Sequence, residues 1–72
     1  MGNTVKERLT EYLKFKEITK SAFGREVGVS SAYVNSITRT INPDIIKRIR
    51  LSYPDLNTDW VLLGEGQMLK TQ

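Results

Sequence analysis

The sequence predicts an all-α fold, a compact bundle of five short helices, on three observations. Apolar residues recur at spacings of three and four, and no stretch shows the alternation of a strand. Capping residues punctuate the chain: Thr4, Thr19, Asn42 and Asn57 precede apolar-periodic stretches, and Gly28 and Gly64 follow them. The third observation is composition, since 72 residues, 39% apolar and 26% charged, describe one small globular domain. A chain of this size buries only about 60% of its unfolded surface, so its core has to be efficient.

Each element follows from local chemistry. Thr4-Val5-Lys6-Glu7 fits a capping box, and Val5, Leu9, Tyr12 and Leu13 then fall on one face of a helix running to about Lys16. Thr19 caps a second helix in which Phe23 and Val27 share a face, and Gly28 supplies the left-handed residue that ends it. Ser30 or Ser31 opens a third, with Val34 and Ile37 on its buried side. Asn42-Pro43-Asp44 combines a cap, a proline that loses no hydrogen bond and an acid at the positive helix end. Ile45, Ile46, Ile49 and Tyr53 form the apolar face of this fourth helix, which Pro54 stops. Asn57 caps a last short helix carrying Trp60, Val61, Leu62 and Leu63, closed by Gly64. No repeat or linker interrupts residues 1–72, so one domain is expected.

Composition also narrows function. The chain has no cysteine and no histidine, which removes disulfides, Cys-based metal sites and every Ser-His or Cys-His nucleophile pair. Glu7 and Glu11 share a helix face but stand among lysines, a poor setting for a catalytic carboxylate pair. Gly64-Glu65-Gly66 lacks the preceding strand and third glycine of a phosphate-binding loop. An enzyme, a metal site and a cofactor are therefore not expected. No apolar run approaches the roughly 18 residues of a membrane span and no signal peptide is recognisable, so the expected setting is the cytoplasm. The net charge is +3, unevenly spread: residues 1–50 carry a balance of +5 and residues 51–72 one of −2. A basic body with an acidic end suggests a polyanion partner, although a few surplus lysines also serve solubility alone.

Lys20 to Arg39 is the informative stretch. Two short helices joined at Gly28-Val29-Ser30 carry apolar residues at Phe23, Val27, Val29, Val34 and Ile37. Gly24 stands inside the first helix, where it costs about 1 kcal/mol relative to alanine. A tolerated glycine there implies that another backbone passes close by, as where two helices cross through a tight turn. One geometry explains all these positions, a helix-turn-helix over about residues 20–39.

Phe23-Gly24, Val27-Gly28-Val29, Val34 and Ile37 resemble the helix-turn-helix pattern of the phage-repressor and Cro-like (XRE) family. Leu56-Asn57-Thr58-Asp59-Trp60-Val61-Leu62-Leu63-Gly64 is similar to the last helix of phage repressor DNA-binding domains, and Gly64 to Leu69 to the tail of short bacterial proteins of that kind. The resemblance spans roughly residues 4 to 69. It implies a lambda-repressor-like five-helix bundle that binds double-stranded DNA in the major groove of an inverted-repeat operator, as a transcriptional repressor of phage or mobile-element origin. It further implies a recognition helix from Ser31 to about Arg39, with Ser31, Ala32, Tyr33 and Ser36 facing bases and Asn35 close by. Lys20, Ser30 and Arg39 are the implied phosphate contacts. For Ser31 a helix cap is the competing reading, and for Arg39 a cation placed at a helix C-terminus.

The chain departs from the family's pattern after that helix, because Thr38-Arg39-Thr40-Ile41 leads to Asn42-Pro43 without a glycine, which changes the exit expected of the helix. Trp60, Val61, Leu62 and Leu63 are four apolar residues in succession, more than one face of a short helix can bury. With Met68 and Leu69 they suggest a homodimer contact through Trp60, Leu63, Met68 and Leu69, whose pairing could be confined to DNA. A competing function is an antitoxin-like or adaptor module that uses the same scaffold to bind a protein.

Overall fold

The computed structural model describes residues 4–70, which form five α-helices and no strand among the described residues. They are α1 (Val5–Phe15), α2 (Lys20–Val27), α3 (Tyr33–Ser36), α4 (Pro43–Ser52) and α5 (Thr58–Leu63). Helix α1 packs against α3 and α5, and α2 against α4. The Cα radius of gyration is 10.9 Å, matching the roughly 11 Å of a compact domain of this length.

The caps follow their chemistry. Thr4 Oγ1 accepts from the Glu7 amide at 3.1 Å and Thr19 Oγ1 from that of Ala22 at 3.0 Å. Asn42 Oδ1 accepts from the Asp44 amide at 2.8 Å, and Asn57 Oδ1 from those of Asp59 and Trp60. Gly28 and Gly64 take φ of 86° and 76° and close α2 and α5. At the end of α1 the same left-handed position falls on Glu17, with φ of 58°. There the Ile18 amide reaches back to the Leu13 carbonyl at 2.8 Å and the Glu17 amide to that of Lys14 at 3.1 Å. This is a Schellman closure made with a glutamate where glycine is favoured.

One core joins all five helices. Leu9, Tyr12, Phe23 and Val34 are fully inaccessible, and Val5, Leu13, Val27, Ile49 and Val61 nearly so. The Phe23 and Tyr53 rings stack with centroids 5.9 Å apart, and Tyr12 meets Tyr53 edge-on at 6.0 Å. Ile41 and Leu56, which lie outside any helix, are also core residues.

Polar clasps tie elements distant in sequence. Arg8 is buried on α1; its Nε donates to the Val61 carbonyl at 2.9 Å and an Nη to that of Leu62 at 3.4 Å, serving orphan carbonyls near the end of α5. Ser52 Oγ donates to the Glu26 carbonyl, so α4 does the same for α2. Asp55 accepts from the Tyr12 hydroxyl at 2.8 Å and from Lys16 Nζ at 2.9 Å. The tail turns back at Gly66, and Leu69 pairs antiparallel with Leu56. The Asn57 amide reaches the Met68 carbonyl and the Lys70 amide that of Asp55, both at 2.9 Å.

Candidate nucleic-acid interface

The α2–α3 corner is built on Gly24. A Cβ placed there would lie 2.6 Å from the Val29 carbonyl oxygen and 3.0 Å from that of Ser30, so the turn backbone occupies the space a side chain would need. The Gly24 carbonyl in turn accepts from the amides of Gly28 and Val29 at 2.7 and 2.8 Å. Helix end and turn thus lock together, and Val34 and Ile37 plug into the core.

Helix α3 is shorter than the sequence reading. In place of a helix from Ser31 to about Arg39, residues 31 and 32 form a turn, four residues are helical, and Ile37 is extended with ψ of 131°. Ile37, Thr38, Thr40 and Ile41 are β-branched and lose side-chain freedom in a helix. Pro43 further biases Asn42 toward extended backbone, and Asn42 takes ψ of 134°. The chain therefore leaves α3 early while still burying both Ile37 and Ile41.

Two assignments change as a result. The N-cap position of α3 is Ala32, without a side-chain cap, so Ser31 is not the cap and remains exposed. Arg39 lies in a bend three residues past Ser36, and the last turn of α3 carries no basic residue. The reading of Arg39 as a cation at a helix C-terminus is thereby removed.

The implied base-facing residues are not equivalent. Ser31, Ala32, Asn35 and Ser36 are exposed, whereas Tyr33 is half-buried and packs against the core. Burial raises the Tyr33 phenol above its ordinary range, and the Asn42 backbone partly offsets this. Ser36 Oγ donates back to the Tyr33 carbonyl at 2.6 Å, which spends its proton and leaves it an acceptor. Asn35 is turned toward α2: its Oδ1 accepts from Lys20 Nζ at 2.8 Å.

Lys6, which the sequence placed only within the capping box of α1, completes this cluster by donating to the Asn35 carbonyl at 3.4 Å. Only its place on the flank of the Val5–Leu9 face hinted at it, because nothing local links α1 to residue 35. Beside these side chains an open depression of about 450 Å³ is lined by Lys6, Lys14 and Lys20 with Glu7, Glu11, Thr10 and Asn35. Ser30 is exposed at the turn, its carbonyl accepting from the Tyr33 amide. Lys20 and Asn35 are thus brought together, Ser31, Ala32 and Ser36 are exposed on the segment that carries Asn35, and Arg39 is exposed in the bend that follows.

At the far end of the chain, Leu63 is 65% exposed and Trp60 half-buried. Met68 and Leu69, like Trp60, are half-buried against the core, and the chain at residues 68–70 pairs with residues 55–57. No helix among the described residues is long and apolar enough to cross a membrane. Comparison of the chain with protein-family models, curated proteins and solved structures gave no match.

Proposed function

We propose that this chain is a sequence-specific DNA-binding transcriptional regulator, a repressor of phage or mobile-element type that occupies an operator and blocks polymerase. The corner of α2 and α3 acts as a helix-turn-helix and enters the major groove. The observation that carries this reading is the exposure of Ser31, Ala32 and Ser36 on the same short segment as Asn35, which accepts from Lys20 Nζ. Serine hydroxyls and a small methyl group can meet base edges, and Ala32 suits a thymine methyl. Lys20 stands in the first turn of α2 and keeps two of its three ammonium donors for a phosphate. Lys6 lines the same depression as Lys20, Ser30 and Arg39 are the other phosphate contacts proposed, and the +5 balance of residues 1–50 supplies the wider field.

One such corner reads only a few base pairs, so the working form is a homodimer on an inverted repeat, with half-sites about 10 base pairs apart. Trp60, Leu63, Met68 and Leu69 are the contact residues proposed for it. Exposed Leu63 equally serves the alternative, an adaptor or antitoxin-like module that holds a protein. Salt dependence of binding to duplex DNA separates the two. If each monomer neutralises about three to five phosphates, log affinity falls against log salt with a slope of roughly −5 to −9 for the dimer. A folded protein that ignores duplex DNA at about 50 mM salt rejects the DNA reading.

A further inference from the structure

A second groove is lined by none of the residues assigned to the DNA surface. The connection from α3 to α4 and the first turns of α4 lie beside α5 around an open space of about 370 Å³. This falls at the lower end of the roughly 300–1,000 Å³ of binding clefts. Its apolar surface comes from Ile41, Pro43, Ile46 and Leu62. Ile41 and Ile46 belong to the core and are fixed in place, whereas Leu62 is half-buried and Pro43 exposed. Lys47 and Arg50, three residues apart on α4 and both exposed, also line it, and no carboxylate does. Lys47 makes no hydrogen bond or ion pair among the described residues. Arg50 commits only its Nε, to Thr58 Oγ1 at 3.2 Å.

We propose that this groove binds an acidic amphipathic helix of another protein. Its apolar side chains would lie against Pro43 and Leu62, over a floor formed by the buried Ile41 and Ile46, and its carboxylates would face Lys47 and Arg50. The aliphatic surface provides the contact that a helix-in-groove complex needs, and two uncompensated cations beside it select the sign of the partner's charge. A phosphate backbone satisfies the cations but leaves the aliphatic surface wet. A second copy laid groove to groove brings four like charges together, an arrangement that disfavours that pairing.

The probe is a labelled peptide of about 14 residues made of leucine and glutamate, with leucine at helical spacing, beside a version carrying lysine in place of glutamate. The glutamate peptide should bind the full chain with micromolar affinity and shift the amide resonances of Ile41, Lys47, Arg50 and Leu62. Lys47→Glu should weaken it by about tenfold or more while circular dichroism stays native, and Arg50→Gln should weaken it less; the lysine peptide should not bind. Equal affinity for both peptides, shifts confined to other residues, or no binding at about 1 mM would overturn the proposal. So would two other results. Concentration-dependent shifts of the same resonances without peptide assign the groove to a second copy. Loss of DNA affinity in Lys47→Glu with peptide affinity unchanged assigns the cations to phosphate. The peptide readouts do not depend on the DNA reading being right.

Discussion

Gly24→Ala is the substitution whose effect the geometry decides most sharply. In an exposed helix this change stabilises, because alanine exceeds glycine by about 1 kcal/mol in helix propensity. Here the new methyl carbon would stand 2.6 Å from the Val29 carbonyl oxygen, and ordinary contact begins at 3.4 Å. The turn backbone would have to retreat by about 0.8 Å, yet the Val29 amide is tied to the Gly24 carbonyl at 2.8 Å and cannot follow freely. Overpacking of this kind costs about 1–3 kcal/mol, and a weakened turn hydrogen bond about 1 more. Subtracting the propensity gain leaves a loss of about 1–3 kcal/mol. For a domain of this size each kcal/mol moves Tm by about 4–8 °C. Thermal and urea denaturation followed by circular dichroism would measure it, with Ser21→Ala on the exposed side of α2 as a control expected to change stability by less than about 0.5 kcal/mol. A Gly24→Ala protein as stable as the parent, or more so, would refute the close crossing of the turn over α2.

Three further outcomes follow from contacts described above. Glu17→Gly should stabilise by about 0.5–1 kcal/mol, since Glu17 holds φ of 58° where glycine pays no steric penalty; an unchanged denaturation midpoint would contradict this. Arg8→Met keeps the apolar stem but removes the donors to the Val61 and Leu62 carbonyls, and should cost about 1–3 kcal/mol, with amide exchange accelerating first in α5. Stability against pH should fall at both ends. The Lys16 hydrogen bond, aided by Tyr12, holds Asp55 below the usual carboxylate range. Its contribution is therefore complete above the unfolded value near about 3.9 and is lost as pH drops through the lower folded one. Burial, reinforced by Asp55, raises the Tyr12 phenol, so its contribution is complete below about pH 10 and is lost as pH climbs toward the folded value. Tyr12→Phe should shrink the alkaline loss and Asp55→Asn the acid loss; unchanged limbs in equilibrium unfolding would argue against the clasp.

What the sequence disclosed was local. Thr4, Thr19, Asn42 and Asn57 cap the helices they precede because a side-chain oxygen meets an amide two or three residues on, a relation carried by the sequence itself. Gly24 was legible for the same kind of reason, its cost in a helix demanding a nearby backbone. Contacts across the chain were not legible. Nothing local assigns Arg8 to carbonyls 53 and 54 residues away, or pairs Leu69 with Leu56. Glu17 hid its left-handed backbone behind a residue type that rarely adopts it. In the candidate site, Ser31, Ala32 and Ser36 are exposed, as their polar or small side chains allow. The hold of Lys20 on Asn35 and the early exit from α3 depend on tertiary placement that helical spacing does not encode.

In the proposed function the α3 turn reads DNA sequence while Lys20 holds the backbone. Selection of bound duplexes from a random pool, with the parent chain, Ser31→Arg and Lys20→Ala side by side, tests it most directly. The parent should enrich an inverted repeat with half-sites about 10 base pairs apart. Ser31→Arg should shift the preferred bases toward guanine, the usual partner of arginine in the major groove. Lys20→Ala should enrich the parent's sequence with weaker affinity and a salt slope reduced by about one per monomer. No enriched sequence from the folded parent, or the same sequence from Ser31→Arg, would contradict the claim.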